Sequence, residues 1–156
     1  MIATTSSDEK GARLSSLGAR HVINYKTTQN WGEVAKSLTP GSQGVDVVVD
    51  VGGSSTVAQS LKAVRVDGLV ALTGILGTSE NVPSIMDGLT HLCMTRGFLL
   101  GTRAQFRAMN AFIDEKGVKP VVDRVFKFGK VKEAYDFLDS QRHFSKVVID
   151  VASSLS

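Results

Sequence analysis

The sequence predicts an α/β fold, a parallel sheet with helices on both faces, and three observations carry that expectation. Short β-rich runs alternate with helical patterns along the whole chain. Val45, Val47, Val48, Val49 and Val51 make a nearly continuous β-branched run, as expected of a parallel strand covered on both faces. Apolar residues at i, i+3, i+4 and i+7 mark amphipathic helices at Trp31, Val34, Ala35 and Leu38, and again at Val131, Ala134, Tyr135 and Leu138.

In chain order, Met1 to Thr5 reads as a strand and Asp8 to Leu17 as a helix that Gly18 closes. His21 to Asn24 is a second short strand, and Pro40 and Gly41 end the helix that follows it. After the valine-rich strand Val45 to Val51, Gly52 and Gly53 turn the chain and Ser54 caps a helix with Val57, Ala58, Leu61 and Val64 inward. Gly68 to Leu72 is another buried strand. A loose segment with Gly74, Gly77 and Pro83 leads to a strand at Gly97 to Leu100. Ala104 to Lys116 is a helix with Phe106, Met109 and Ile113 inward and Gly117 as its stop. The strand Val125 to Phe128, the second amphipathic helix and a last strand from Lys146 to Val151 complete the pattern.

Composition narrows the function classes. With 156 residues, 42% hydrophobic and 21% charged, the chain has the proportions of one globular domain. Its net charge of +3 is dispersed and its aromatics are sparse, which argues against nucleic-acid binding. No apolar run reaches the roughly 18 residues of a membrane helix. The single cysteine, Cys93, excludes an internal disulfide, and no secretory pattern opens the chain; a cytoplasmic protein is expected.

In doubly wound sheets ligands lie beyond the carboxyl ends of the strands. Those ends carry Ser6 and Ser7, Tyr25, Gly52 and Gly53, Thr73 to Ile75, and Gly101 and Thr102, mostly small residues that let a ligand approach the backbone. An acidic residue at the first end would bind the ribose hydroxyls of NAD; here two serines stand there with Lys10 one turn on. Two hydroxyls, a helix N-terminus and an ammonium make a phosphate site. A capping box of Ser6 and Glu9 with a solvated Lys10 explains the same residues, and Asp8 and Glu9 oppose an anion. Gly52, Gly53 and Ser54 divide equally between an anion-holding turn with free N–H groups and a plain tight turn, and Gly74 and Gly77 share that ambiguity. Tyr25 is either a cofactor contact or packing.

Catalytic constellations are absent from the sequence. His21, His91 and His143 are dispersed, no Cys/His spacing resembles a zinc site, and no G-x-S-x-G occurs. His91 and Cys93, two apart on a short helix, would not face each other. Nor is there a G-x-G-x-x-G, the turn that carries pyrophosphate in dinucleotide-binding folds.

The stretch ATTSSDEKGARLSSLGARHVINYKTTQNW from Ala3 to Trp31, then GVDVVVDVGGSSTVAQSLKAVRVDGLVALTGIL, KPVVDRVFKF and HFSKVVIDV, resembles the C-terminal part of the medium-chain dehydrogenase/reductase family, in its zinc-type alcohol dehydrogenase and quinone reductase group. The resemblance implies a Rossmann-like parallel sheet flanked by helices, lacking its first strand and glycine-rich turn. Those parts, with a GroES-like catalytic domain, would lie upstream. Residues 1–152 would form this truncated nicotinamide-cofactor-binding domain, with a return segment from about 120, and 153–156 a disordered tail.

It further implies the cofactor-binding portion of an NAD(P)-dependent oxidoreductase, inactive alone because hydride transfer needs the absent domain. A non-catalytic remnant acting as a binding or dimerisation module is the alternative. Carried over by position, Ser6, Ser7 and Lys10 stand beside the adenosine ribose as in NADP-using members, with Tyr25 at the same end. Gly52 and Gly53 lie along the cofactor, Gly74 and Ile75 near the nicotinamide ribose, and Leu100, Gly101 and Thr102 at the nicotinamide end. NADP (NADPH) is favoured over NAD, and no metal is assigned because zinc ligands come from the absent part. Relatives pair subunits through the sheet edge, here Gly97 to Leu100, which implies a homodimer. Ser145 replaces the glycine of the relatives' HFGKVV pattern, which weakens Lys146 as a cofactor contact. Strand 1 is central in the order 3-2-1-4-5-6. Without it, either Met1 to Thr5 pairs with Val45 to Val51 or the sheet gapes.

Overall fold

Strand and helix alternate as the patterning requires. The computed structural model describes residues 1–80 and 82–152, so the expected tail at 153–156 lies outside the described residues. Contacts divide the chain between Gly101 and Thr102 into two compact units.

The first unit holds β1 (Ile2–Thr5), α1 (Asp8–Ser16), β2 (His21–Asn24), α2 (Trp31–Ser37), β3 (Val45–Asp50), α3 (Val57–Ala63), β4 (Val64–Leu72), α4 (Ile85–His91) and β5 (Met94–Gly97). β1 pairs with β2, and β3, β4 and β5 form a second sheet in that order; every pairing is parallel. Single helices return the chain between strands, so successive strands run the same way.

Between the two sheets there is no ladder. Among the described residues β1 bonds only to β2 and β3 only to β4, so the gaping alternative holds and direct pairing of the two strands does not. Helices bridge the gap: Ile23, Ala35 and Ala63 form a buried cluster that receives Ile2 from β1 and Val48 from β3. A second cluster of Leu61, Val64 and Val70 seats α3 on one face of β3 and β4. α2 and α3 are tied by the Lys62–Glu33 ion pair at 3.0 Å, which lowers the Glu33 pKa through its hydrogen bond and charge.

Several local expectations are corrected. β3 is covered on one face only: Val48 and Asp50 turn inward, while Val47, Val49 (67% exposed) and Val51 are open. The cap of α1 is Ser7, which accepts from Lys10 N at 3.3 Å, and not Ser6. α3 follows Thr56 rather than a Ser54 cap, and Val64 leaves that helix to open β4. The strand expected at Gly97 to Leu100 is Met94–Gly97, because Leu69 to Leu72 of β4 pair with Met94 to Gly97. α4 ends at His91, and Leu92 in the left-handed conformation puts Cys93 outside that helix.

The second unit holds α5 (Arg103–Lys116), β6 (Val122–Lys127), α6 (Val131–Asp139) and β7 (Lys146–Asp150). β6 and β7 pair in parallel, with α6 as their crossover. Ala134 is buried, and the Phe137 ring meets Phe126 at a centroid distance of 6.0 Å. Phe106 (59% exposed) and Met109 on α5 are exposed rather than inward, and Ile113 of the expected stripe is half-buried, because among the described residues neither β6 nor β7 packs closely on this helix.

Candidate functional site

The carboxyl ends of the strands in the first unit build the candidate site. At β1 the chain leaves through Ser6 and Ser7 into α1, and Tyr25 N donates to Thr5 O at 2.9 Å, so Tyr25 stands next to the serines. Asn24 Nδ2 donates to Asp8 Oδ1 at 2.8 Å, which turns that carboxylate toward the end of β2. Lys26 lies over the Tyr25 ring, 5.9 Å from its centroid. The α1 N-terminus, the Ser6 and Ser7 side chains and the Lys10 backbone N–H therefore meet at one strand end, where the Asp8 carboxylate is held by the Asn24 amide.

At β3 the decisive group is Asp50, which is 3% exposed. Its carboxylate accepts from Gly53 N at 2.9 Å, Thr56 Oγ1 at 2.6 Å and Ser60 Oγ at 2.6 Å. Buried carboxylates need such donors, and these three fold the Gly52–Thr56 turn onto the first turns of α3. The Gly53 N–H is thereby committed, so the anion-holding reading of this turn fails at that group. In the sequence Asp50 reads only as part of a strand; the signal is an acid at the end of a valine run, with hydroxyls six and ten residues on at Thr56 and Ser60.

The β4 exit packs backbone to backbone on the same turn. Thr73 N donates to Asp50 O at 2.8 Å and Gly77 N to Gly52 O at 2.7 Å, while Ser54 Oγ donates to Gly77 O at 2.7 Å. A Cβ on Gly53 would stand 2.7 Å from Gly74 O, and one on Gly74 would overlap the Val51 carbonyl. The glycines are thus required by loop-on-loop packing. Ile75 beside them is exposed.

Leu100 (92% exposed) and Gly101 lie beyond the β5 terminus at Gly97, and Thr102 caps α5 by accepting from Gln105 N at 3.2 Å. Within the first unit the structure brings Ser6, Ser7, the Lys10 backbone and Tyr25 together, and Gly52, Gly53 and Gly74 together; among the described residues no hydrogen bond joins Leu100 or Gly101 to either group. In the second unit Lys146 opens β7 opposite Val122, preceded by Ser145 at φ 71°. A cleft of about 340 Å³ lined by Lys36, Lys62, Val64 and His91 opens at the amino end of β4, away from these strand exits.

The family model described as zinc-binding dehydrogenase matches residues 17–149. The chain belongs to the zinc-binding dehydrogenase family. This family member is 41% identical over 152 residues to a zinc-type alcohol dehydrogenase-like protein of Schizosaccharomyces pombe, covering 95% of the chain and 44% of that protein. It is 31% identical over 161 residues to another from Leptosphaeria maculans, covering 97% and 44%. A solved NAD-dependent alcohol dehydrogenase superposes with a TM-score of 0.84 at 29% identity, covering 97% of this chain and 43% of that one. The chain therefore spans less than half the length of these relatives. Among the described residues, no group of three or more His, Cys, Asp and Glu side chains converges, so the zinc of the family's name finds no donor set in them.

Proposed function

We propose that this dehydrogenase family member carries the adenosine-side portion of a nicotinamide-cofactor site in an NAD(P)-dependent oxidoreductase, and that it prefers NADP. The bound nicotinamide would supply the hydride chemistry, and the residues present here would hold and orient its adenosine end. The observation that carries the reading is the β1 exit. It presents Ser6, Ser7, Lys10 and the N-terminus of α1, while Asp8 is engaged by Asn24. Such an end suits a 2′-phosphate, whereas a ribose diol asks for a carboxylate acceptor. Tyr25 would flank the adenosine, and the turn of Gly52 and Gly53 and the loop of Gly74 and Ile75 would border the cofactor's length. Leu100 and Gly101 would stand toward the nicotinamide. Hydride transfer requires protein outside this chain.

The test uses half-cofactors, because they need only this end of the site. Adenosine 2′,5′-bisphosphate should bind about tenfold or more tightly than 5′-AMP, the scale of charge-assisted hydrogen bonds to one phosphate. Ser6→Asp should abolish that preference. Equal affinity in the unchanged chain would remove the NADP reading.

A second reading, a non-catalytic dimerisation module, is favoured by the outer edge of β5, which among the described residues pairs only with β4 and exposes Met94. Sedentary edges of this kind invite pairing with a second copy. A concentration-dependent dimer in sedimentation, abolished by Thr95→Pro and indifferent to cofactor, would support it. Cys93 as a free thiol suits a cytoplasmic setting.

A further inference from the structure

We propose that the cleft at the amino end of β4 binds a small monocarboxylate with a short apolar body, its carboxylate on Lys36 and its body on Leu61, Val64 and Val66. This inference does not rest on the cofactor reading, and the cleft stands away from the strand exits that carry that reading.

Contacts within the first unit close the walls of the cleft. α2 lies directly on α3: Gly32 N donates to Gln59 Oε1 at 2.9 Å, and a Cβ on Gly32 would stand 2.1 Å from Gln59 O. The Lys62–Glu33 ion pair ties the same two helices along the cleft. On the other side Leu92, left-handed at φ 51°, brings its carbonyl to Asp67 N at 2.8 Å and fastens the end of α4 beside β4. His91 is set there by its own helix. Its Nδ1 lies 2.8 Å from Asp87 O, and a carbonyl only accepts, so Nδ1 carries the hydrogen and Nε2 is the ring nitrogen left for a ligand.

Charge and apolar area select the ligand. The floor is Leu61 and Val64, both buried, with Val66 open beside them. Glu33 is the one acid among the described lining residues, and Lys62 already pairs with it. Lys36 is half-buried, and among the described residues no ion pair engages it. A cation without a partner, partly withdrawn from water over an apolar floor, matches a single negative charge on an apolar body. A phosphate dianion would meet Glu33 and leave the floor uncovered. The volume of about 340 Å³ is at the small end of ligand pockets, which suits a small molecule.

The test titrates the isotope-labelled 156-residue chain, without nicotinamide cofactor, with sodium butanoate and sodium hexanoate and follows amide chemical shifts. The amides of Val64, Val66, Thr90 and Leu92 should move while those of Ser6, Ser7 and Tyr25 stay. Hexanoate should bind about tenfold more tightly than butanoate, the scale of two methylenes leaving water. Hexanol should bind about tenfold or more weakly than hexanoate, the scale of a charge-assisted hydrogen bond. Lys36→Gln should lose the same factor and Lys36→Arg should keep most of the affinity. Val66→Asp, a change at an exposed position, should abolish binding and leave the spectrum folded. The proposal is overturned if the cleft amides stay still at the solubility limit of hexanoate or if hexanol binds as tightly as hexanoate. It is equally overturned if the shifts fall at Ser6, Ser7 and Tyr25 instead, or if Lys36→Gln binds as the unchanged chain does.

Discussion

The buried Asp50 carboxylate accepts a 2.6 Å hydrogen bond from the buried hydroxyl of Ser60, ten residues along the chain. With Gly53 N and Thr56 Oγ1 on the other oxygen, one side chain fixes the exit of β3 and the start of α3 together.

Removing that acceptor leaves buried donors unsatisfied. Asp50→Ala should cost about 3 kcal/mol or more, and Ser60→Ala about 1–2 kcal/mol, by urea denaturation. A cost for Asp50→Ala below about 1 kcal/mol would mean that the turn holds itself.

The glycines give a contrast within one experiment. Gly74→Ala drives a methyl into the Val51 carbonyl and should destabilise by about 3 kcal/mol or prevent folding. Gly88→Ala, inside α4 with open space around it, should stabilise by about 0.5–1 kcal/mol. Thermal melts of both variants read the difference directly, and similar melting temperatures would contradict the loop-on-loop packing.

Ser145 sits at φ 71°, a conformation that costs a residue with a Cβ about 1 kcal/mol. Ser145→Gly should therefore raise the melting temperature of the second unit by a few degrees. An unchanged or lowered value would show that the serine side chain compensates locally.

Burial pushes the Cys93 thiol above its ordinary pKa of 9.0. Desolvation disfavours the thiolate, so at pH 8 the folded chain should react with an aromatic disulfide reagent more slowly than the urea-unfolded chain. The group's contribution to stability is full below pH 9.0 and is lost as pH rises through the folded value. Equal reaction rates in the two states would place Cys93 in open solvent.

The order of elements was legible because periodicity reports burial: Trp31, Val34 and Ala35 and the strand His21–Asn24 lie where their patterns put them, while Leu38, the fourth residue of that stripe, caps α2 and is exposed. Patterning failed where neighbours decide burial. The valine run of β3 is written for two covered faces and the Phe106 and Met109 stripe of α5 for one; one face of β3 and the α5 stripe stand open here. At the candidate site, Ser6, Ser7 and Tyr25 were visible as residues after strands. The Asp50 tether reaches partners 3, 6 and 10 residues on, within range of a local pattern; the glycine interlock arises from contacts between loops over twenty residues apart, which no local pattern encodes.

The most direct measurement is a thermal melt of the chain alone, with NADPH and with NADH, because a ligand that binds the folded state raises its melting temperature. A cooperative transition raised by NADPH and unmoved by NADH is the expected result. A transition raised equally by both, raised only by NADH, or indifferent to either would contradict an adenosine site read by Ser6, Ser7 and Lys10.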